Sequence, residues 1–242
     1  MMDLDKRQRV RSYVLRAGRM TQVQKRSLEK NWQRWGLEHD GNAVAFDRVF
    51  GRSGARTLEI GFGMGQSLIA MAEVSPDTNF IGIEVHTPGV GKLLHSMEER
   101  GIDNIRVYCH DAVEILRDCI PASSLDVIQI FFPDPWHKKR HNKRRLIQPP
   151  FVSQLTTKLK EGGTLHLATD WEDYAMQMMD VLGGAEGLSN TCGEGQFAPR
   201  PEHRPFTKFE ARGERLGHAV WDLVFSRVTG SDPAVRQRKT PQ

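Results

Sequence analysis

The chain has 242 residues, with 34 Lys/Arg against 30 Asp/Glu, a net charge of +4, and 38% hydrophobic residues. That length suits one large α/β domain with appendages, or at most two small domains; no apolar run approaches a membrane span, and export is not expected because the N-terminus lacks a signal-like apolar core. Cys109, Cys119 and Cys192 are too few and too scattered for a disulfide framework or a zinc site, and read as reduced thiols of a cytoplasmic protein.

Residues 1–35 form a basic arm of weak helical periodicity. They hold ten Lys/Arg against three acids. Residues 36–53 are polar and glycine-bearing, and are expected to be a linker with a short apolar stretch at 44–50. From Gly54 onward apolar runs at 57–60, 79–85, 105–108, 125–132 and 164–168 alternate with helical spacing near 66–74, 88–100, 111–118, 146–160 and 171–182. Strand and helix in alternation predict a Rossmann-like doubly wound α/β sheet, mostly parallel, with ligands beyond the C-terminal ends of its strands. Thr87 before Pro88, and Asp170 before Trp171-Glu172-Asp173, are the expected helix caps. Residues 183–205, rich in Gly and Pro, are expected to be a long loop. Segments 206–212 and 218–227 read as a closing antiparallel pair. The catalytic domain is expected to span 36–228, with a disordered tail at 229–242.

The first strand-to-helix turn reads Glu59-Ile60-Gly61-Phe62-Gly63-Met64-Gly65. Glycines there allow a sharp turn and close approach of a ligand to the backbone. A carboxylate just ahead of the loop would repel a dinucleotide pyrophosphate, but would stabilise a cationic ammonium or sulfonium. Gly61, Gly63, Gly65 and Glu59 therefore favour S-adenosylmethionine over a nicotinamide cofactor. Glu84, at the end of the second strand, suits ribose hydroxyls. Asp111, after the third, suits an adenine amino group or a helix N-cap.

The fourth strand runs into Pro133-Asp134-Pro135-Trp136, where two prolines restrict Asp134. A rigid carboxylate at that point can accept from the N1–H and amino group of guanine. Trp136 offers an indole for base stacking or for packing. Residues 137–145 then supply six permanent cations in nine positions. Together with the basic arm they suggest a nucleic-acid partner held through phosphates. His137 and His141 stand four apart, but the surrounding cations disfavour a metal, and none is expected.

The chain resembles the bacterial tRNA (guanine-N7-)-methyltransferases. The Glu59 to Gly65 loop, Gly82 to His86, the run at 133–145, Ala168-Thr169-Asp170, Thr207-Lys208-Phe209-Glu210, and Gly217-His218 are similar to that family's motifs, in its order. The resemblance implies S-adenosylmethionine-dependent methylation of N7 of a guanosine in the tRNA variable loop. It implies donor contacts at Glu59, Glu84, Asp111 and Asp134, with Asp134 also catalytic. It implies substrate contacts at Lys138, Asp170, Thr207, Lys208, Phe209 and Glu210, and RNA contacts at Arg140, His141, Asn142, Lys143, Arg144 and Arg145. A methyltransferase for another RNA or a protein acceptor, and a non-catalytic RNA-binding module, remain the alternatives. A monomer is favoured, with no membrane association. Deleting residues 1–30 is expected to weaken RNA binding and spare donor binding.

Overall fold

A computed structural model of the chain describes residues 12–13, 19–202, 204–205, 210 and 219–229. Its strands are β1 (Gly36–Leu37), β2 (Arg56–Ile60), β3 (Asn79–Ile83), β4 (Ile105–Tyr108), β5 (Leu125–Phe131), β6 (Leu159–Thr169), β7 (Leu188–Asn190) and β8 (Trp221–Arg227). They form one sheet in the order β1-β4-β3-β2-β5-β6-β8-β7. The strands from β1 to β6 pair in parallel, while β8 runs antiparallel to both β6 and β7. The chain winds outward from β2 in both directions, so the crevice for a ligand opens at the C-terminal ends of β2, β3 and β5.

The helices are α1 (Gln22–Trp35), α2 (Phe46–Phe50), α3 (Gln66–Val74), α4 (Thr87–Arg100), α5 (Ala112–Asp118), α6 (Pro149–Lys158) and α7 (Glu172–Gly183), with a 3-10 helix at Lys139–Arg144. Leu68, Leu93, Leu94 and Met97 belong to one buried cluster, joined by Trp35 from α1. Ile115, Leu116, Leu155, Tyr174 and Met178 belong to a second. Every residue of β3 is buried, as a strand covered on both faces requires. Among the described residues, no helix is long and apolar enough to cross a membrane.

Several expectations need correction. The second half of the basic arm is a helix docked on the domain. Thr21 and Gln24 close a capping box at its start, and Lys30 and Asn31 both donate to Glu98 of α4. Gly91 allows the approach, since a Cβ there would lie 2.6 Å from the carbonyl oxygen of Gln24. The expected linker carries β1 and α2. Within the expected loop at 183–205, β7 pairs with β8; a three-residue edge strand needs backbone register and one buried side chain, Leu188, rather than an apolar run. The predicted strand at 206–212 lies outside the described residues apart from Glu210, which is helical. The α4 cap is His86 rather than Thr87, and the α7 cap is Trp171 rather than Asp170; neither makes a side-chain cap bond. The tail from 230 onward lies outside the described residues.

Candidate active site

The glycine loop is built by backbone conformation and fixed by a carboxylate. Gly61, Gly63 and Gly65 have φ values of 77°, 57° and 78°, in the left-handed region that side chains disfavour. The Gly61 N–H donates to the Ile83 carbonyl at 2.8 Å, carrying the β2–β3 pairing into the turn. Glu84 then accepts from the N–H groups of Gly63 at 2.8 Å, Val85 at 2.7 Å and His86 at 2.9 Å. It both anchors the loop and lines the adjoining cavity.

Glu59 is 3% exposed, and its Oε2 has no hydrogen-bond partner among the described residues. Burial, reinforced by repulsion from Glu84, pushes its pKa up to about 8. A buried carboxylate without a partner, bordering a cavity, is matched by a cationic group entering that cavity. The amino-acid end of S-adenosylmethionine carries an ammonium, so this donor set fits the group expected from the sequence.

Two cavities meet at Gly61 and Phe131. The first, about 310 Å³, is lined by Gly61, Glu84, His86, Asp111, Phe131 and Asp134, with Ser12 and Tyr13 of the arm. The second, about 390 Å³, is lined by Glu59, Gly61, Gly63, Phe131, Phe132 and Arg204. Asp111 is the cap of α5, its Oδ1 accepting from the Val113 N–H at 2.9 Å, and it also lines the first cavity. His110, in the same wall, pairs with Glu114 at 2.7 Å and stacks on His39, which pairs with Asp118.

At the end of β5, Phe132 and Trp136 adopt φ values of 51° and 48°, uncommon for side-chain-bearing residues. The Phe132 N–H is still paired, donating to Ala168 at 2.8 Å. Between these two bends stands Asp134, exposed at the cavity rim, its Oδ1 accepting from the Trp136 N–H at 3.0 Å. Trp136 is committed to packing. Its Nε1 donates to the Ser12 carbonyl at 3.1 Å, and the Arg144 guanidinium sits 4.3 Å above its ring.

The basic run divides by burial. Lys138, Arg140 and Lys143 are exposed; His141, Asn142 and Arg144 are half-buried. Desolvation holds the His141 pKa below its ordinary value, with a further contribution from the neighbouring cations. Lys143 and Arg144 border a hollow of about 370 Å³ that shares Ser12, Asp111 and Leu146 with the first cavity. Arg145 departs from the expected RNA role. It is 3% exposed and donates to the Pro135 carbonyl, Gln177 and Asp173 at 2.8, 2.6 and 2.6 Å. Those bonds engage all three guanidinium nitrogens and tie the proline–aspartate turn to α7.

Asp170 ends β6, half-buried and free of capping duty. Thr207, Lys208 and Phe209 lie outside the described residues. Glu210 is 2% exposed and ion-paired with Arg204 at 2.6 Å, so it serves the fold rather than an open surface. Ser12 and Tyr13 lie in the arm stretch Arg11-Ser12-Tyr13 through Trp32, which also resembles the family, but sequence patterns did not point to Arg204, His166 or Asp222. Only the last two carried a signal: polar residues inside apolar strand runs.

The Methyltransf_4 family model, described as "Putative methyltransferase", matches residues 53–223. A tRNA (guanine-N(7)-)-methyltransferase of Pseudomonas paraeruginosa is 56% identical over 219 residues, covering 90% of this chain and 90% of that protein. The protein of that name in Klebsiella pneumoniae subsp. pneumoniae is 56% identical over 220 residues, covering 91% and 92%; that of Alcanivorax borkumensis is 57% identical over 219 residues, covering 90% and 92%. Among solved structures, the 16S rRNA methyltransferase KamB matches with a TM-score of 0.58 at 13% identity, covering 78% of this chain and 95% of that one. The aminoglycoside resistance methyltransferase NpmB1 matches with a TM-score of 0.50 at 16% identity, covering 80% and 95%. At such identities the structural likeness speaks for the fold alone.

Proposed function

The chain belongs to the tRNA (guanine-N(7)-)-methyltransferase family, and from that premise we propose that it methylates N7 of a guanosine in the tRNA variable loop, with S-adenosylmethionine as donor. The observation that carries the reading is the junction of two environments. An acid-lined cavity with the buried, unpartnered Glu59 beside it adjoins a hollow edged by Lys143 and Arg144.

When bound, S-adenosylmethionine supplies a methyl group on a sulfonium, open to in-line displacement. Guanine N7 carries a free lone pair, so no general base is required. Glu59 would counter the cationic amino-acid end of the donor. Glu84 would hold the loop and face the ribose, and Asp111 would accept from the adenine edge. Asp134 would accept from the Watson–Crick edge of the guanine and offset the positive charge it acquires. Asp170 and Lys138, which follow the ends of β6 and β5 in the chain, would complete the substrate side. Such positioning can supply about 7–11 kcal/mol of the barrier reduction. Arg140, His141, Asn142, Lys143 and Arg144 would face the RNA, the cations among them binding phosphates.

The test is transfer of labelled methyl to unmodified tRNA, followed by digestion and mapping. Label at guanine N7 in the variable loop is expected. Label on another atom or acceptor, or none, would overturn the reading. Asp134→Ala should slow single-turnover transfer by about 100-fold or more while donor affinity falls less, as expected for lost orientation.

A further inference from the structure

We propose that Arg204 is a positioning residue for methyl transfer, fixing the wall of the glycine-loop cavity that it shares with Glu59. The inference rests on reading that cavity as the place where donor and guanine meet.

Arg204 is 1% exposed yet contributes to the cavity lining. Its guanidinium is ion-paired with Asp222: one terminal nitrogen donates to Oδ2 at 2.9 Å, and Nε lies 2.8 Å from Oδ1 outside hydrogen-bond alignment. The other terminal nitrogen pairs with Glu210 at 2.6 Å. Asp222 is itself held twice. It lies in β8 opposite Ala168 of β6, and its Oδ1 is 2.7 Å from Nε2 of His166. His166 meets Phe131 edge-on, with ring centroids 4.9 Å apart. Arg204 also lies over Phe132, 5.7 Å from the ring centroid, at the bend that leads to Asp134.

A chain of buried contacts thus runs from the rigid β6–β8 pair through Arg204 to Glu210. Burying several charged groups is a poor way to gain stability, since well-packed apolar residues do as well or better. What this arginine adds is a fixed place, a planar cation held between Asp222 on one side and Glu210 on the other. Arg204 and Glu210 flank Thr207, Lys208 and Phe209 in the chain, and both are buried. One guanidinium thus meets both the β8 carboxylate of Asp222 and the Phe132 bend before Asp134, which couples the two sides of the cavity.

The experiment compares wild type with Arg204→Lys, Glu210→Gln and the double variant. For each, donor affinity, tRNA affinity, melting temperature and single-turnover rate are measured separately. The expected result is folded variants whose two affinities stay within about 3-fold of wild type while the rate falls about 100-fold, the scale of a small misplacement. The double variant should lose no more than the worse single one, because both remove one unit. A wild-type rate in either folded variant would overturn the inference. So would parallel losses of affinity and rate, which a merely structural role predicts. Should Arg204→Lys not fold, Glu210→Gln decides the question in the same way, since it removes one charge of the network and keeps the Arg204–Asp222 ion pair. Failure of the wild-type protein to methylate tRNA would overturn the functional reading and this inference with it; wild-type transfer with unaffected variants would overturn the inference alone.

Discussion

Glu84 accepts the N–H of Gly63 at 2.8 Å. A carboxylate at the end of β3 thereby holds the middle glycine of the loop that follows β2, and the two halves of the donor crevice are set by one side chain. Glu84→Gln keeps the size but offers one acceptor oxygen where two are in use. Losing a charge-assisted bond of this kind costs about 1.5–3 kcal/mol. Donor affinity should fall at least about 10-fold, with a lower melting temperature. Calorimetric titration and thermal denaturation check this; if neither changes, the loop holds itself without Glu84.

Glu59 gives the protein a signed pH dependence. Its pKa of about 8 in the folded chain lies above the usual 4.5. Between those values the folded state holds a proton that the unfolded state has lost. Its contribution to stability is therefore complete at acid pH and is lost as pH rises through about 8, with a slope of up to about 1.4 kcal/mol per pH unit. Glu59→Gln should flatten that decline and stabilise the free protein at pH 8, while weakening donor binding. A cationic donor favours the carboxylate, so binding at pH 7 should also release a proton. Titrations in two buffers of different ionisation enthalpy read the proton count; equal heats would contradict the assignment.

The cations at 138–145 should separate into two behaviours. Replacing Lys139, Arg140 and Lys143 by Gln should weaken tRNA binding and lower the salt slope by about 0.7–0.9 for each phosphate no longer neutralised. Stability should hardly change, since all three are exposed. Arg145→Met should do the reverse. It removes the bonds to Asp173, Gln177 and Pro135, at a cost of about 1.5–3 kcal/mol, the exposed Asp173 being free to rehydrate. An Arg145→Met protein of normal stability but poor salt response would restore the RNA role.

The arm is expected to serve the donor as well as the RNA. Ser12 and Tyr13 stand in the wall of the first cavity, and the Ser12 carbonyl receives the Trp136 indole hydrogen bond. Deleting residues 1–18 leaves α1 and its capping box intact. It should nonetheless reduce donor affinity measurably, beside a larger loss for tRNA. Unchanged donor binding in that truncation would leave the arm a purely RNA-facing element.

The local pattern of the chain determined the parallel β/α core, the glycine turn after β2, and the acids at successive strand ends. Those features repeat at short range: apolar runs set strands, helical spacing sets the cover, and strand ends in such a sheet converge on one crevice. The packing roles were different in kind. That Arg145 faces inward, that the Trp136 indole is tied to the Ser12 carbonyl rather than standing open, and that α1 docks on α4 through Gly91 depend on partners far away in sequence. An arginine in a basic run reads the same whether it meets a phosphate or, like the buried Arg145, a carboxylate of its own fold. Only the fold brings Asp173, Gln177 and Asp222 to their guanidinium partners, and burial then decides which charges remain for a ligand.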